Sequence, residues 1–144
     1  MYVASFSSTS SYLYTFAALG GTASGAYIGQ LTSLAGGATY YHGAYWYVTQ
    51  RSDALHRVTF DPAGAVAADT LVAYMTGQTQ LQDYGDIDFD VNTGLLYMSY
   101  TVTATATRAL ATYNVATGGI NVLLSGSTSG SAASGLSPVS YTHL

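Results

Sequence analysis

Short runs in which bulky apolar or aromatic side chains alternate with Ser, Thr or Ala recur along the chain, and turn signals close each one. Tyr2–Phe6 is followed by a Ser/Thr turn and then by Tyr12–Phe16. Gly20-Gly21 to Gly25 separates that run from Tyr27–Leu34. After Gly36-Gly37 come Thr39–His42, a turn at Gly43, Tyr45–Thr49, and Leu55–Phe60. Asp61-Pro62-Ala63-Gly64 suits a reverse turn and leads into Thr70–Tyr74. The last runs are Asp86–Asp90, Leu95–Tyr100, Ala109–Val115 and Ile120–Leu124. No window carries an apolar stripe of helical period with caps at both ends, so the pattern predicts an all-β chain.

The runs repeat in sets of four, labelled A to D. Phe16, Phe60 and Tyr113 each end a C run and enter a Gly-containing turn, and a D run follows each time. Phe60 lies 44 residues beyond Phe16, and Tyr113 lies 53 beyond Phe60. The Thr-rich stretch Val102–Arg108, which extends the B–C hairpin of the third set, accounts for most of the longer spacing. Four strands per ~40–50 residues is the period of β-propeller blades, which stack because one four-stranded sheet cannot bury both faces alone.

The third set adds sequence detail. Asp86-Ile-Asp-Phe-Asp-Val-Asn-Thr-Gly-Leu-Leu-Tyr97 resembles the "aFDpxtGxLY" strand–turn–strand of bacterial β-propeller repeats of the YVTN, NHL and SMP-30-like kinds. Ala111-Thr-Tyr-Asn-Val-Ala-Thr-Gly-Gly119 is similar to the "ydvaTG" hairpin that ends their outer strands. The resemblance spans about residues 2 to 125 and implies fold rather than activity, because such families include enzymes, scaffolds and binding proteins. It implies a sector of a β-propeller of about three four-stranded antiparallel blades, the first incomplete and the ring not closed. The expected divisions are a partial first blade over 1–36, a second over 37–77, a third over 78–126, and a low-complexity linker with a tail over 127–144. Ser137–Leu144, which includes His143, resembles translated sequencing-adapter read-through at the end of a metagenomic gene fragment, and is set aside on that ground. Missing blades of the same chain are then the first expected partners.

Composition narrows the classes further. The 144 residues are 49% hydrophobic but only 7% charged, against ~25% charged in an average soluble domain. Seven acidic residues, three basic ones and a net charge of −4 give no basic footprint for a phosphate backbone, so no nucleic acid partner is expected. There is no cysteine, hence no disulfide framework or thiolate chemistry. No apolar run is long enough for a membrane span. Fourteen Tyr and sixteen Gly on a nearly charge-free background lean towards an extracellular or cell-envelope setting.

Candidate chemistry is sparse. Asp86, Asp88 and Asp90 alternate along one strand and so share a face, where three carboxylates a few Å apart would call for a cation such as Ca²⁺. The same residues also read as turn chemistry, with Asp90 and Asn92 capping the A–B turn and Gly94 at positive φ. His42 ends one A run as Asp90 ends the next, which puts both near one rim; before Gly43 it also reads as a turn residue. His56, on a C run, packs or faces solvent. Tyr45, Trp46 and Tyr47 suit carbohydrate stacking or a protein interface, and equally suit packing between sheets. Gly-x-Ser-x-Gly, His-Glu-x-x-His and phosphate-loop motifs do not occur, so no catalytic residue is assigned. The expectation is an exported, non-enzymatic binding or scaffold propeller that contacts protein or carbohydrate, without a required cofactor. The alternative is a lactonase- or lyase-like propeller enzyme with a cation in its central channel.

Overall fold

The computed structural model describes residues 2–6, 10–16, 25–49, 52–75, 81–102 and 107–127, with side chains for 10–16, 25–49, 52–75, 86–101 and 107–126. All regular structure among them is β. The first sheet joins β1 (Tyr2–Phe6), β2 (Ser11–Phe16) and β3 (Gly25–Gln30) in sequence order. The second joins β4 (Ala35–Tyr41), β5 (Ala44–Thr49), β6 (Ala54–Phe60) and β7 (Val66–Tyr74). The third joins β8 (Leu81–Phe89), β9 (Leu96–Val102), β10 (Thr107–Asn114) and β11 (Gly119–Ser127). Every pairing is antiparallel between consecutive strands, so each sheet is a meander. The all-β expectation holds, and each predicted run is found as a strand. Among the described residues no helix is long and apolar enough to cross a membrane.

The turns follow from their residues. Tyr41 pairs with Ala44, which leaves a two-residue loop in which His42 and Gly43 take φ of 47° and 76°. Positive φ at both positions is the type I′ turn, whose twist matches the flanking strands. His is among the few residues that tolerate this region, and Asn does so better. His42→Asn is therefore expected to keep or raise the melting temperature, whereas His42→Val lowers stability by about 1 kcal/mol or more in a denaturant titration.

The other turns on that end share one construction. Asp90 Oδ1 accepts the Asn92 N–H at 2.9 Å, its carbonyl accepts the Gly94 N–H at 2.8 Å, and Gly94 sits at φ 69°. Asn114 Oδ1 accepts the N–H groups of Ala116 and Thr117, its carbonyl takes the Gly118 N–H at 2.8 Å, and Gly118 sits at φ 71°. Asp61 does the same work before Gly64, whose φ is 84°. These are Asx turns, in which a short side chain replaces a backbone acceptor and glycine supplies the left-handed residue.

The second sheet lies between the other two, and β5 shows why its residues are what they are. All six are buried. Ala44, Trp46 and Val48 face the third sheet, where they join Leu55, Ile87, Phe89, Leu96, Met98, Tyr100, Ala109, Ala111 and Tyr113 in one core. Tyr45 and Tyr47 face the first sheet, with Leu13, Leu31, Ala35 and Val58 in a second core. A strand places successive side chains on opposite faces, so a continuous apolar run is what two buried faces require. Each fully buried aliphatic or aromatic side chain contributes roughly 1.5–3 kcal/mol from apolar burial.

Several strand limits differ from the pattern: β3 ends at Gln30 rather than Leu34, β8 begins at Leu81 rather than Asp86, and β4 and β7 both start earlier than predicted. Gly36-Gly37 reads as a turn but lies inside β4. A Cβ on Gly37 would stand 3.1 Å from Asp86 Cα, so the missing side chain lets the first strand of the second sheet meet the first strand of the third. Strand β7 begins at Val66 rather than Thr70, because bulges at Leu55/His56 and Thr59/Phe60 interrupt its period-two pattern.

Candidate functional site

The densest polar cluster lies between the first and second sheets. Tyr47 of β5 is paired with His56 of β6, and Asp69 of β7 stands opposite Val58 of β6 on the same face. Asp69 Oδ1 is 2.9 Å from His56 Nδ1. Asp69 Oδ2 accepts the Tyr47 hydroxyl at 2.8 Å, the Thr32 hydroxyl at 2.9 Å and the Thr32 N–H at 2.7 Å. The imidazole stacks on the Tyr47 ring with centroids 4.8 Å apart. The Asp69 and His56 side chains retain only 3% and 9% of their exposure. A carboxylate only accepts hydrogen bonds, so Asp69 takes the proton-bearing Nδ1–H of His56 and fixes the ring's orientation.

Thr32 belongs to the connection between β3 and β4, so the cluster ties the link from the first sheet onto the body of the second. It is particular to this interface. The corresponding rows of the third sheet are Met98–Ala111–Val122 and Leu96–Tyr113–Ile120, where no carboxylate or imidazole occurs. The sequence pattern offers Tyr47 as a binding candidate and His56 as packing or solvent-facing, and it does not single out Asp69 or Thr32. The available signal was a lone Asp in an otherwise uncharged strand, hidden because the pattern started that strand at Thr70.

Burial shifts the phenols. Desolvation pushes Tyr45 up to about 12. Tyr47 moves further in the same direction, through desolvation first and then the Asp69 carboxylate. Tyr100 is raised by desolvation and by the charge of Asp53. In the unfolded chain these phenols begin to ionise near 10. Their contribution to stability is therefore complete below that pH and lost as the pH rises through the folded values. A spectrophotometric titration should show the exposed tyrosines ionising first, and the buried group only together with unfolding near pH 12. Simultaneous ionisation of all tyrosines near pH 10 in a chain still folded by circular dichroism would contradict this packing.

The acidic run is distributed among separate tasks. Asp86 Oδ1 accepts the Ile87 N–H, and the Asp86 N–H donates to Ser99 Oγ. Asp88 Oδ1 accepts the Thr39 hydroxyl at 2.6 Å, across from the third sheet to the second, and also the Phe89 N–H. Asp90 serves its turn, where the Thr93 hydroxyl and then the Asn92 N–H hold its carboxyl below the ordinary carboxylate value. Its small stabilising effect is thus present above the unfolded value and is lost on acidification. Among the described residues no group of three or more His, Cys, Asp or Glu side chains is placed to hold a metal ion.

Tyr45, Trp46 and Tyr47 are all buried, so their ring faces are occupied by sheet packing. Trp46 meets Phe89 edge-on at 5.2 Å, carries the Arg57 guanidinium 5.7 Å from its ring centroid, and donates its indole N–H to the Tyr41 carbonyl. Phe89 stacks on Tyr41 at 4.2 Å, and Tyr41 lies against the exposed His42 ring at 4.1 Å. The Tyr41 hydroxyl reaches within 3.4 Å of where a Gly94 Cβ would sit, so the β4–β5 and β8–β9 turns are neighbours at one end of the sheets. Here Tyr40, His42 and Val91 are exposed. The middle of the Val102–Arg108 hairpin and the tail with His143 lie outside the described residues. Comparison with known proteins finds no matching family model, no matching curated protein and no matching solved structure.

Proposed function

We propose that the chain is a sector of about three β-propeller blades and serves as a non-enzymatic binding or scaffold module outside the cell or in its envelope. The observation that carries this reading is β5, whose six residues are all buried and whose five apolar ones divide between two cores. Sheet-on-sheet stacking of repeated meanders, with the first strands of adjacent sheets in close approach at Gly37, is the arrangement that blades around a channel need. The turn end that bears Tyr40, His42 and Val91 offers aromatic and apolar surface on short, rigid hairpins, which suits contact with a protein or glycan. Among the described residues, Asp90 is engaged in its turn, Asp88 in a bond to the second sheet, and Asp69 and His56 in the buried cluster.

The labelled chain on a glycan array and on a panel of envelope proteins tests the reading. Binding that falls at least tenfold in a Tyr40→Ala/Val91→Ser double variant supports it (a loss of about 1.4 kcal/mol). The same preparation, melted with and without Ca²⁺ and offered simple lactones, addresses the enzymatic alternative. A Ca²⁺-dependent rise in melting temperature together with lactone turnover, both lost in Asp86→Ala and Asp88→Ala, would replace the binding reading with a propeller enzyme.

A further inference from the structure

We infer that the outer edge of β11 is a self-association surface, on which a second copy of this chain adds its own β11 in antiparallel register. Gly119–Gly126 is exposed at every residue. Ile120, Val122, Leu123 and Leu124 are all large apolar side chains left in solvent on one strand. Among the described residues the strand pairs with β10 on one side and with no strand on the other, an edge whose N–H and C=O groups another extended strand can satisfy in register.

Edge strands are usually protected by charge, proline, bulges or shortness. The other outer strands have some of these. Strand β3 has only six residues. Strand β7 is bent by two bulges and carries Asp69. Strand β11 has nine residues, no charge, no proline and a single irregularity, at Leu110/Ala111. The first strands of the second and third sheets, β4 and β8, are covered by one another at Gly37 and Asp86.

The lack of charge also selects the occupant. A two-fold antiparallel pair sets each strand against its own reversed copy, and a charged strand would place like charges near one another. Gly-Ile-Asn-Val-Leu-Leu-Ser-Gly-Ser meets itself without that cost, and the contact closes after two chains. The inference stands whether or not the sheets are propeller blades, because β11 is the outer strand of its sheet in either case.

Sedimentation of the full chain over micromolar to hundred-micromolar concentrations is the test. A monomer–dimer equilibrium is expected. Val122→Lys and Leu124→Lys should each weaken it by about tenfold or more, because each brings two ammonium groups together at the seam. Val122→Thr, which keeps strand propensity and adds no charge, should retain the dimer. Since the chain has no cysteine, single cysteines at Asn121, Val122, Leu123 and Leu124 give an unambiguous crosslinking profile, with a maximum at the two-fold. Leu71→Lys, on the edge of β7, and Thr101→Glu, on the free face of the third sheet, should leave the dimer intact. A monomer throughout, dissociation by either of these last two variants, or open-ended growth beyond a dimer would overturn the inference.

Discussion

Asp69→Ala should destabilise the chain by about 2–5 kcal/mol, because it removes the shared acceptor of several hydrogen bonds while the buried donors stay in place. The substitution strands the Tyr47 hydroxyl, the His56 Nδ1–H and the Thr32 N–H, each of which now has its acceptor on that one carboxylate. Tyr47 and His56 are buried, and each orphaned buried donor costs about 1–3 kcal/mol; Thr32 is exposed, so water can replace its acceptor. Asp69→Asn should cost less, because its carbonyl oxygen still accepts, although its NH₂ must face a donor. The triple variant Asp69→Leu/Tyr47→Phe/His56→Leu should recover much of the loss, because replacing all partners of buried hydrogen bonds by apolar groups of similar shape leaves no donor stranded. Chemical denaturation of the four proteins reads this directly. A loss under 1 kcal/mol for Asp69→Ala would mean that the carboxylate is solvated and the cluster does not fasten the sheets.

Leu55→Ala should cost about 2–5 kcal/mol, the range for deleting a fully buried aliphatic side chain from a rigid core. Leu55 has no exposed surface and lies in the core shared by the second and third sheets. Sheets constrained by their ladders relax little, so a cavity is expected to persist. Leu71→Ala, two strand positions beyond Asp69 on the outer strand and 43% exposed, should change stability by about 0.5 kcal/mol or less. Equal effects at the two positions would show that the sheets do not stack as described.

Much of this fold was legible because two signals coincide in the chain. Period-two alternation marks strands, and Asp or Asn followed by Gly marks the turns; Asp90-Val-Asn-Thr-Gly94 and Asn114-Val-Ala-Thr-Gly118 are nearly the same turn written twice. The misreadings arise where one residue type serves two purposes. Glycine normally ends a strand, but Gly37 is kept inside one because the backbone of Asp86 comes too close for a side chain. The start of β7 was obscured by two bulges, each of which resets the alternation.

The polar cluster could not be read from local pattern. Its four residues, Thr32, Tyr47, His56 and Asp69, come from three strands and a connection; the ladder of the second sheet sets the last three on one face, and the β3–β4 connection brings Thr32 to them. The acidic run had the opposite fate. Its alternation was correctly a strand feature, yet Asp88 turned to Thr39 of another sheet and Asp90 to its own turn. Alternation fixes which residues share a face but not what that face meets. The Tyr45–Trp46–Tyr47 run shows the same limit, since surface recognition and two-sided packing both call for aromatic residues there.

The second sheet is buried on both faces by stacking between its neighbours, and Trp46, the only tryptophan, reports on this most directly. Its ring centroid lies 5.2 Å from that of Phe89, a residue of another sheet. A nuclear Overhauser experiment on a sample labelled at Trp and Phe should show strong cross-peaks between the indole and Phe89 ring protons, and these should vanish in Phe89→Leu. An indole whose cross-peaks reach only residues of its own sheet would mean that the sheets are not stacked, and the propeller reading would fall with them.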